Sequence, residues 1–86
     1  MPEISRFYGI VIKMFHNDHL PPHFHAEHGG DQVAVVIDTL AVIAGKLRPR
    51  AMGLVMEWAS QHQEELRRVW DQARNHRPLD QIDPLS

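Results

Sequence analysis

The dipeptide Gly29-Gly30 separates two short β-prone runs and sets the register between them. Two-residue hairpin turns need a positive backbone φ, which glycine supplies without steric cost. A two-residue turn here places His28 opposite Asp31, Ala26 opposite Val33 and Phe24 opposite Val35. Paired residues share a face of the sheet. Phe24, Ala26, Val33, Val35 and Ile37 therefore form one apolar face. His23, His25 and Glu27 fall on the other, across from Val36, Ala34 and Gln32.

Upstream, Phe7 to Phe15 is rich in β-branched and aromatic residues and reads as a strand. Its period of two turns Tyr8, Ile10, Ile12 and Met14 toward the core. Asn17-Asp18-His19-Leu20-Pro21-Pro22 follows as a loop, since Asn and Asp favour turns and two prolines forbid a helix. Strands are expected over about 4–16, 22–28, 32–38 and 40–44, the last closed by Gly45. From Pro49 the period changes. Ala51, Leu54, Val55, Trp58, His62, Leu66, Val69, Trp70 and Ala73 recur at three- and four-residue steps. Neither Gly nor Pro interrupts residues 54–76, so one long helix over about 49–76 is expected, with a tail from 77 to 86. The predicted fold is α+β. A small antiparallel sheet of three to four strands carries one long C-terminal helix on one face, in a single domain over 1–86.

Eighty-six residues support only a modest core, burying roughly 60–65% of the surface exposed on unfolding, so oligomerisation would add stability. A net charge of −2 offers no general attraction to nucleic acid or an anionic membrane. Cysteine is absent, which excludes disulfides and thiolate ligands together. Any metal must be held by His, Asp, Glu or backbone oxygen. The start Met1-Pro2-Glu3-Ile4-Ser5-Arg6 lacks the pattern of a signal peptide, and no run approaches the roughly 18 apolar residues of a membrane span. A cytoplasmic location is the expectation.

Five of the seven histidines, His16, His19, His23, His25 and His28, lie within thirteen residues. His23 and His25 flank Phe24 on a strand, so both rings leave the same face about 6.6 Å apart along the chain. That spacing lets two rings converge on one ion at about 2.0–2.1 Å per bond. His16 or His19 from the loop, or Glu27 from the same face, could complete the set. A sulfur-free shell of this kind suits Zn, Ni, Cu or Fe and leaves positions where water could be activated. The plainer alternative makes these imidazoles turn and ladder residues bonded to backbone around Pro21-Pro22 and Gly29-Gly30. Metal-free catalysis would need a nucleophile, and no serine sits in a Gly-x-Ser-x-Gly elbow. Lys46, Arg48 and Arg50 form a basic cluster before the helix that could contact phosphate or an acidic partner, or could simply be solvated. Arg67, Arg68, Arg74 and Arg77 complement the helix dipole, while Trp58, Trp70 and His62 lie on the core stripe.

Three segments carry a family resemblance. They are Ile4 to Ile12, then Asn17-Asp18-His19 with Pro21-Pro22-His23-Phe24-His25-Ala26, then Ala44-Gly45-Lys46-Leu47 with Glu57-Trp58-Ala59, Glu65-Leu66 and Trp70. Together they resemble the small bacterial family catalogued as domain of unknown function four-one-six-zero, over nearly the whole chain. The resemblance implies a stand-alone protein, often encoded beside another small protein in an arrangement like toxin–antitoxin pairs. It carries over no catalytic residue. The position of His16 looks often aromatic in similar sequences, which leaves His19, His23 and His25 as the better metal trio. The first expectation is thus an interaction protein in a toxin–antitoxin-like two-protein module. Its partners would be a neighbouring gene's small product or a second copy in a homodimer. The alternative is a metal-dependent enzyme, a nuclease or other hydrolase, using a divalent transition metal such as Zn on the same histidines. Glu27, Lys46, Arg48 and Arg50 are then the contact residues for a partner or nucleic acid. A DNA-binding regulator ranks last, for want of a helix-turn-helix and of net positive charge.

Overall fold

The computed structural model describes residues 3–86, so the first two positions of the expected 1–86 domain lie outside it. Five strands, β1 (Glu3–Phe7), β2 (Ile10–Lys13), β3 (His23–His28), β4 (Asp31–Val36) and β5 (Val42–Gly45), form an antiparallel meander in chain order. Two helices follow, α1 (Pro49–Gln61) and α2 (Gln63–Arg74). The Gly29-Gly30 turn has the derived register, with His28 opposite Asp31, Ala26 opposite Val33 and Phe24 opposite Val35. Positive φ falls at Gly29 and not at Gly30, the pattern of a II′ rather than a I′ turn.

The expected first strand, 4–16, is instead a hairpin. Tyr8 and Gly9 take φ of +50° and +76°, and Phe7 pairs with Ile10 across them. Two consecutive positive φ values mark a I′ turn, whose twist matches that of the strands it joins. Ile10, Ile12 and Met14 are fully buried as their alternation demands, but Tyr8 sits at the tip, 60% exposed. The sheet thus has five strands, not three to four.

The fourth expected strand, 40–44, begins two residues later, because Leu40 occupies a turn with φ +60°. Gly45 ends it at φ +71°, and a Cβ there would stand 2.2 Å from the Gln32 carbonyl oxygen. Backbone on both sides leaves no side chain to move aside. Gly45→Ala should therefore destabilise the domain by about 2–4 kcal/mol. Gly30→Ala, which meets nothing within 4 Å, should stay within about 0.5 kcal/mol. Urea titration of the pair checks this, and equal midpoints would contradict it.

The single helix expected over 49–76 is two. His62 leaves helical geometry at φ −131°, ψ 24°, ending α1 and opening α2. Its amide still donates to the Ala59 carbonyl at 3.1 Å, and its carbonyl accepts from the Leu66 amide at 2.9 Å. Glu64 and Glu65 in the next turn favour a helix start there. The Gln63 side chain donates to the carbonyls of Ile37 and Asp38 at 2.9 and 3.2 Å, tying that start to the end of β4. The break keeps both apolar stripes on the core. Val55, Trp58 and Ala59 of α1 and Leu66, Val69 and Trp70 of α2 are buried with Phe24, Ala26, Val33, Val35 and Ile37 of the sheet.

The expected tail, 77–86, is docked. Ile82 and Leu85 join the core, the Ile82 amide donates to the Ile4 carbonyl at 2.8 Å, and the Trp58 indole N–H donates to the Asp83 carbonyl at 2.8 Å. A buried indole needs such a partner, and the segment supplies it. Among the described residues no helix is long and apolar enough to cross a membrane.

Candidate metal centre

Period two along β3 buries Phe24 and Ala26 in the core and sends His23, His25 and Glu27 to the opposite face. The connection from β2 to β3 laps over that face. Asn17 takes φ +62°, the left-handed conformation asparagine tolerates best among side chains with a Cβ, and the chain reverses there. The reversal brings Asp18 onto the histidines. Asp18 Oδ2 lies 2.9 Å from His23 Nε2 and 3.0 Å from His25 Nε2. The three ligand atoms fall within 4.8 Å of one another.

The rings are held from several sides. His23 is 2% exposed, with the Trp70 ring 5.5 Å away and the His25 ring at 5.1 Å. Phe15 meets His25 edge-on at 4.8 Å. Pro21, fixed by its own ring and by Pro22, directs its carbonyl at His23 Nδ1, 2.7 Å away. A carbonyl only accepts, so Nδ1 donates to it, and Nε2 faces the Asp18 carboxylate. Lone pair against carboxylate is repulsive unless a second proton or a cation lies between them. A metal-bound histidine is commonly fixed this way, with its other N–H on a backbone carbonyl.

Asp18 is adapted to stay charged. Desolvation raises its pKa. The hydrogen bond from His25, the His19 amide at 3.0 Å and the charges of His23 and His25 outweigh it, and the carboxyl lies below the ordinary aspartate value. Adjacent ligands lie on the order of 3.0 Å apart on an octahedral ion with bonds of about 2.1 Å, and on the order of 3.4 Å apart on a tetrahedral one. The two separations from Asp18 Oδ2, 2.9 and 3.0 Å, are close to the first and a few tenths of an ångström below the second.

Of the expected trio, the ligand nitrogens of His23 and His25 come together with Asp18, while His19 stays at the rim. Its ring centroid is 5.4 Å from that of His23, but its side chain is 82% exposed and its Nε2 stands 4.0 Å from Asp18 Oδ1. The third position falls to Asp18, whose place after Asn17 marks it in the sequence only as a turn former. Glu27 lies on the same face but pairs with Lys13 at 2.9 Å. Lys13 is only 8% exposed, so its charge needs that partner. His16 contacts the Arg77 carbonyl at 3.2 Å and stacks on His76, away from the cluster. Lys46, Arg48 and Arg50 are exposed around the start of α1. His62 rests on Trp58 at 5.3 Å and bonds Glu65 at 2.6 Å.

Fold and site together define a small α+β domain in which a loop carboxylate caps a His-x-His strand. The chain belongs to the family described as Domain of unknown function (DUF4160), whose model matches residues 9–71. That span holds every residue of the cluster. No curated protein and no solved structure matches the chain.

Proposed function

We propose that the protein binds one divalent transition-metal ion through Asp18, His23 and His25, and that this centre serves hydrolytic chemistry. One observation carries the reading. Two imidazole nitrogens converge on one carboxylate oxygen at 2.9 and 3.0 Å, while the far nitrogen of the buried ring is pinned to a carbonyl. Two histidines and one carboxylate are a sulfur-free set of nitrogen and oxygen donors suited to Zn²⁺ or Fe²⁺. Three protein ligands leave coordination positions for solvent, and an ion held so would acidify a bound water.

The test uses untagged protein, stripped with chelator and titrated with Zn²⁺, Mn²⁺ and Fe²⁺ by calorimetry and thermal unfolding. Binding of one ion per chain is expected. At about a hundred times its dissociation constant, it adds about 2.7 kcal/mol, or roughly 10–20 °C in Tm for a domain this size. An unchanged Tm with all three metals would sink the proposal.

A second reading makes the protein one half of a toxin–antitoxin-like two-protein module. The exposed edge strand β5 favours it, because Val42 and Ile43 are 46% and 45% exposed with no charged residue within the strand to blunt them. Light scattering of the chain alone and with its gene neighbour's product separates the outcomes. A strict monomer in both samples would remove this reading.

A further inference from the structure

A second cleft lies at the other end of β3. His28 stands five residues from His23, about 16 Å along the strand, so the cleft is independent of the metal centre. It encloses about 510 Å³ between the Tyr8-Gly9 turn, the end of β3 and the start of α1. That is within the roughly 300–1,000 Å³ of small-molecule sites. Arg48 and Arg50 line one side, Tyr8 and His28 another, and Ala51 and Leu54 give it an apolar floor. Arg6, Arg67 and Arg68 are each paired with a carboxylate. Among the described residues Lys46, Arg48 and Arg50 are in no ion pair, and neither are Arg74 and Arg77 around the end of α2, but the first three gather about two adjoining concavities. Asp31 borders the adjoining cleft with Lys46 and Arg48, yet pairs with neither. In a chain of net charge −2, this is a concentration of uncommitted positive charge around a concavity.

The lining has two chemistries. Two guanidinium forks offer parallel N–H donors matched to a phosphate dianion, which a single carboxylate would not fill. Tyr8, held out of the core by its turn, offers an exposed aromatic face on which a flat ring can stack. We propose that this cleft binds a mononucleotide, with its phosphate between Arg48 and Arg50 and its base against Tyr8. His28 lines the cleft beside Tyr8, and the Gly9 backbone packs along its ring, where a Cβ would be 3.8 Å from the ring carbon.

The experiment is a titration of the full chain at low salt with AMP, adenosine, inorganic phosphate and a short single-stranded RNA, followed by amide chemical shifts and calorimetry. AMP should bind with a submillimolar constant and shift residues 8–10, 28 and 48–54. Inorganic phosphate should bind more weakly at the same place, and adenosine weakest. The double variant Arg48→Ala/Arg50→Ala should lose at least about tenfold in AMP affinity. Both side chains are exposed, and circular dichroism will confirm that the fold is kept. Tyr8→Ala should weaken AMP and leave inorganic phosphate unchanged. AMP binding that ignores the double variant overturns the proposal, as does a Tyr8→Ala effect equal for both ligands. RNA binding without AMP binding overturns it in favour of a nucleic-acid surface. Chelator should change none of these results, so the fate of the metal centre is read separately.

Discussion

Trp58→Ala is expected to leave the domain largely unfolded at room temperature. Trp58 is fully buried, with its ring 5.5 Å from Phe7, 5.9 Å from Phe24 and 5.3 Å from His62. It therefore joins β1, β3 and the helix break in one contact, and its indole N–H holds the C-terminal segment through Asp83. Truncating a buried tryptophan costs about 3–5 kcal/mol. A domain of this length has roughly 4–13 kcal/mol in all, and a small core argues for the lower part of that range. The loss is thus comparable with the whole. Trp58→Phe separates packing from the hydrogen bond: it keeps a ring against Phe7 and Phe24 and should cost about 1–2 kcal/mol, mostly for the missing donor. In that variant the segment from Asp80 to Ser86 should become the first site of limited proteolysis. Urea unfolding followed by far-ultraviolet circular dichroism measures both variants. A Trp58→Ala midpoint close to wild type would mean that the core is not organised around this ring.

The parts of the fold legible in the sequence are those fixed by strictly local rules. Gly29-Gly30 determined the β3–β4 register, and alternation then placed Phe24, Ala26, Val33 and Val35 inward correctly. The turn at Tyr8-Gly9 was hidden because its first residue is aromatic and its flanks are β-branched, so the pattern runs on unbroken through it. A lone glycine in such a run is compatible with a strand. The lone signal was that Gly9, with a residue before it, could form a two-residue turn between Phe7 and Ile10. The helix break at His62 carries no Gly or Pro. It depends on Gln63 reaching the carbonyls of Ile37 and Asp38, a tertiary contact that periodicity cannot contain. Ile82 and Leu85 are too sparse to form a periodic pattern, and they dock because the Ile4 carbonyl accepts from the Ile82 amide and the Trp58 indole N–H donates to the Asp83 carbonyl between them.

The site divides in the same way. His23 and His25 were legible because a strand puts alternate residues on one face. Asp18 was not, since a carboxylate after asparagine in a proline-rich loop already has a sufficient local explanation. Only the reversal at Asn17 places it over β3. His19 has the better ligand chemistry by residue type, yet the same reversal turns its side chain toward solvent. A loop carboxylate within a few residues of a His-x-His strand was the available signal.

Asp18→Asn should abolish tight metal binding and alter the pH dependence of the metal-free protein. The amide keeps the size of the carboxylate and one acceptor oxygen, so the loop can stay in place. What it loses is the charge opposite two imidazole nitrogens. Changes outside the ligand set cost 10–100-fold in metal affinity, so removing an anionic ligand should cost at least about 100-fold in Zn²⁺ affinity. The pH behaviour follows from the lowered pKa of Asp18. A carboxyl more acidic in the folded than in the unfolded chain stabilises the fold above its unfolded value, about 3.9, and that contribution fades as pH falls through the folded value. Metal-free wild type should therefore exceed Asp18→Asn in stability near neutrality, and the gap should shrink below about pH 4. Urea midpoints of both proteins across that range, with chelator present, measure it. A gap that stays constant through acid would show that Asp18 contributes by shape rather than by charge. Zinc affinity unaffected by the substitution would place any bound metal elsewhere, and His19→Ala and His25→Ala measured alongside would show whether the outward histidine had taken the carboxylate's place.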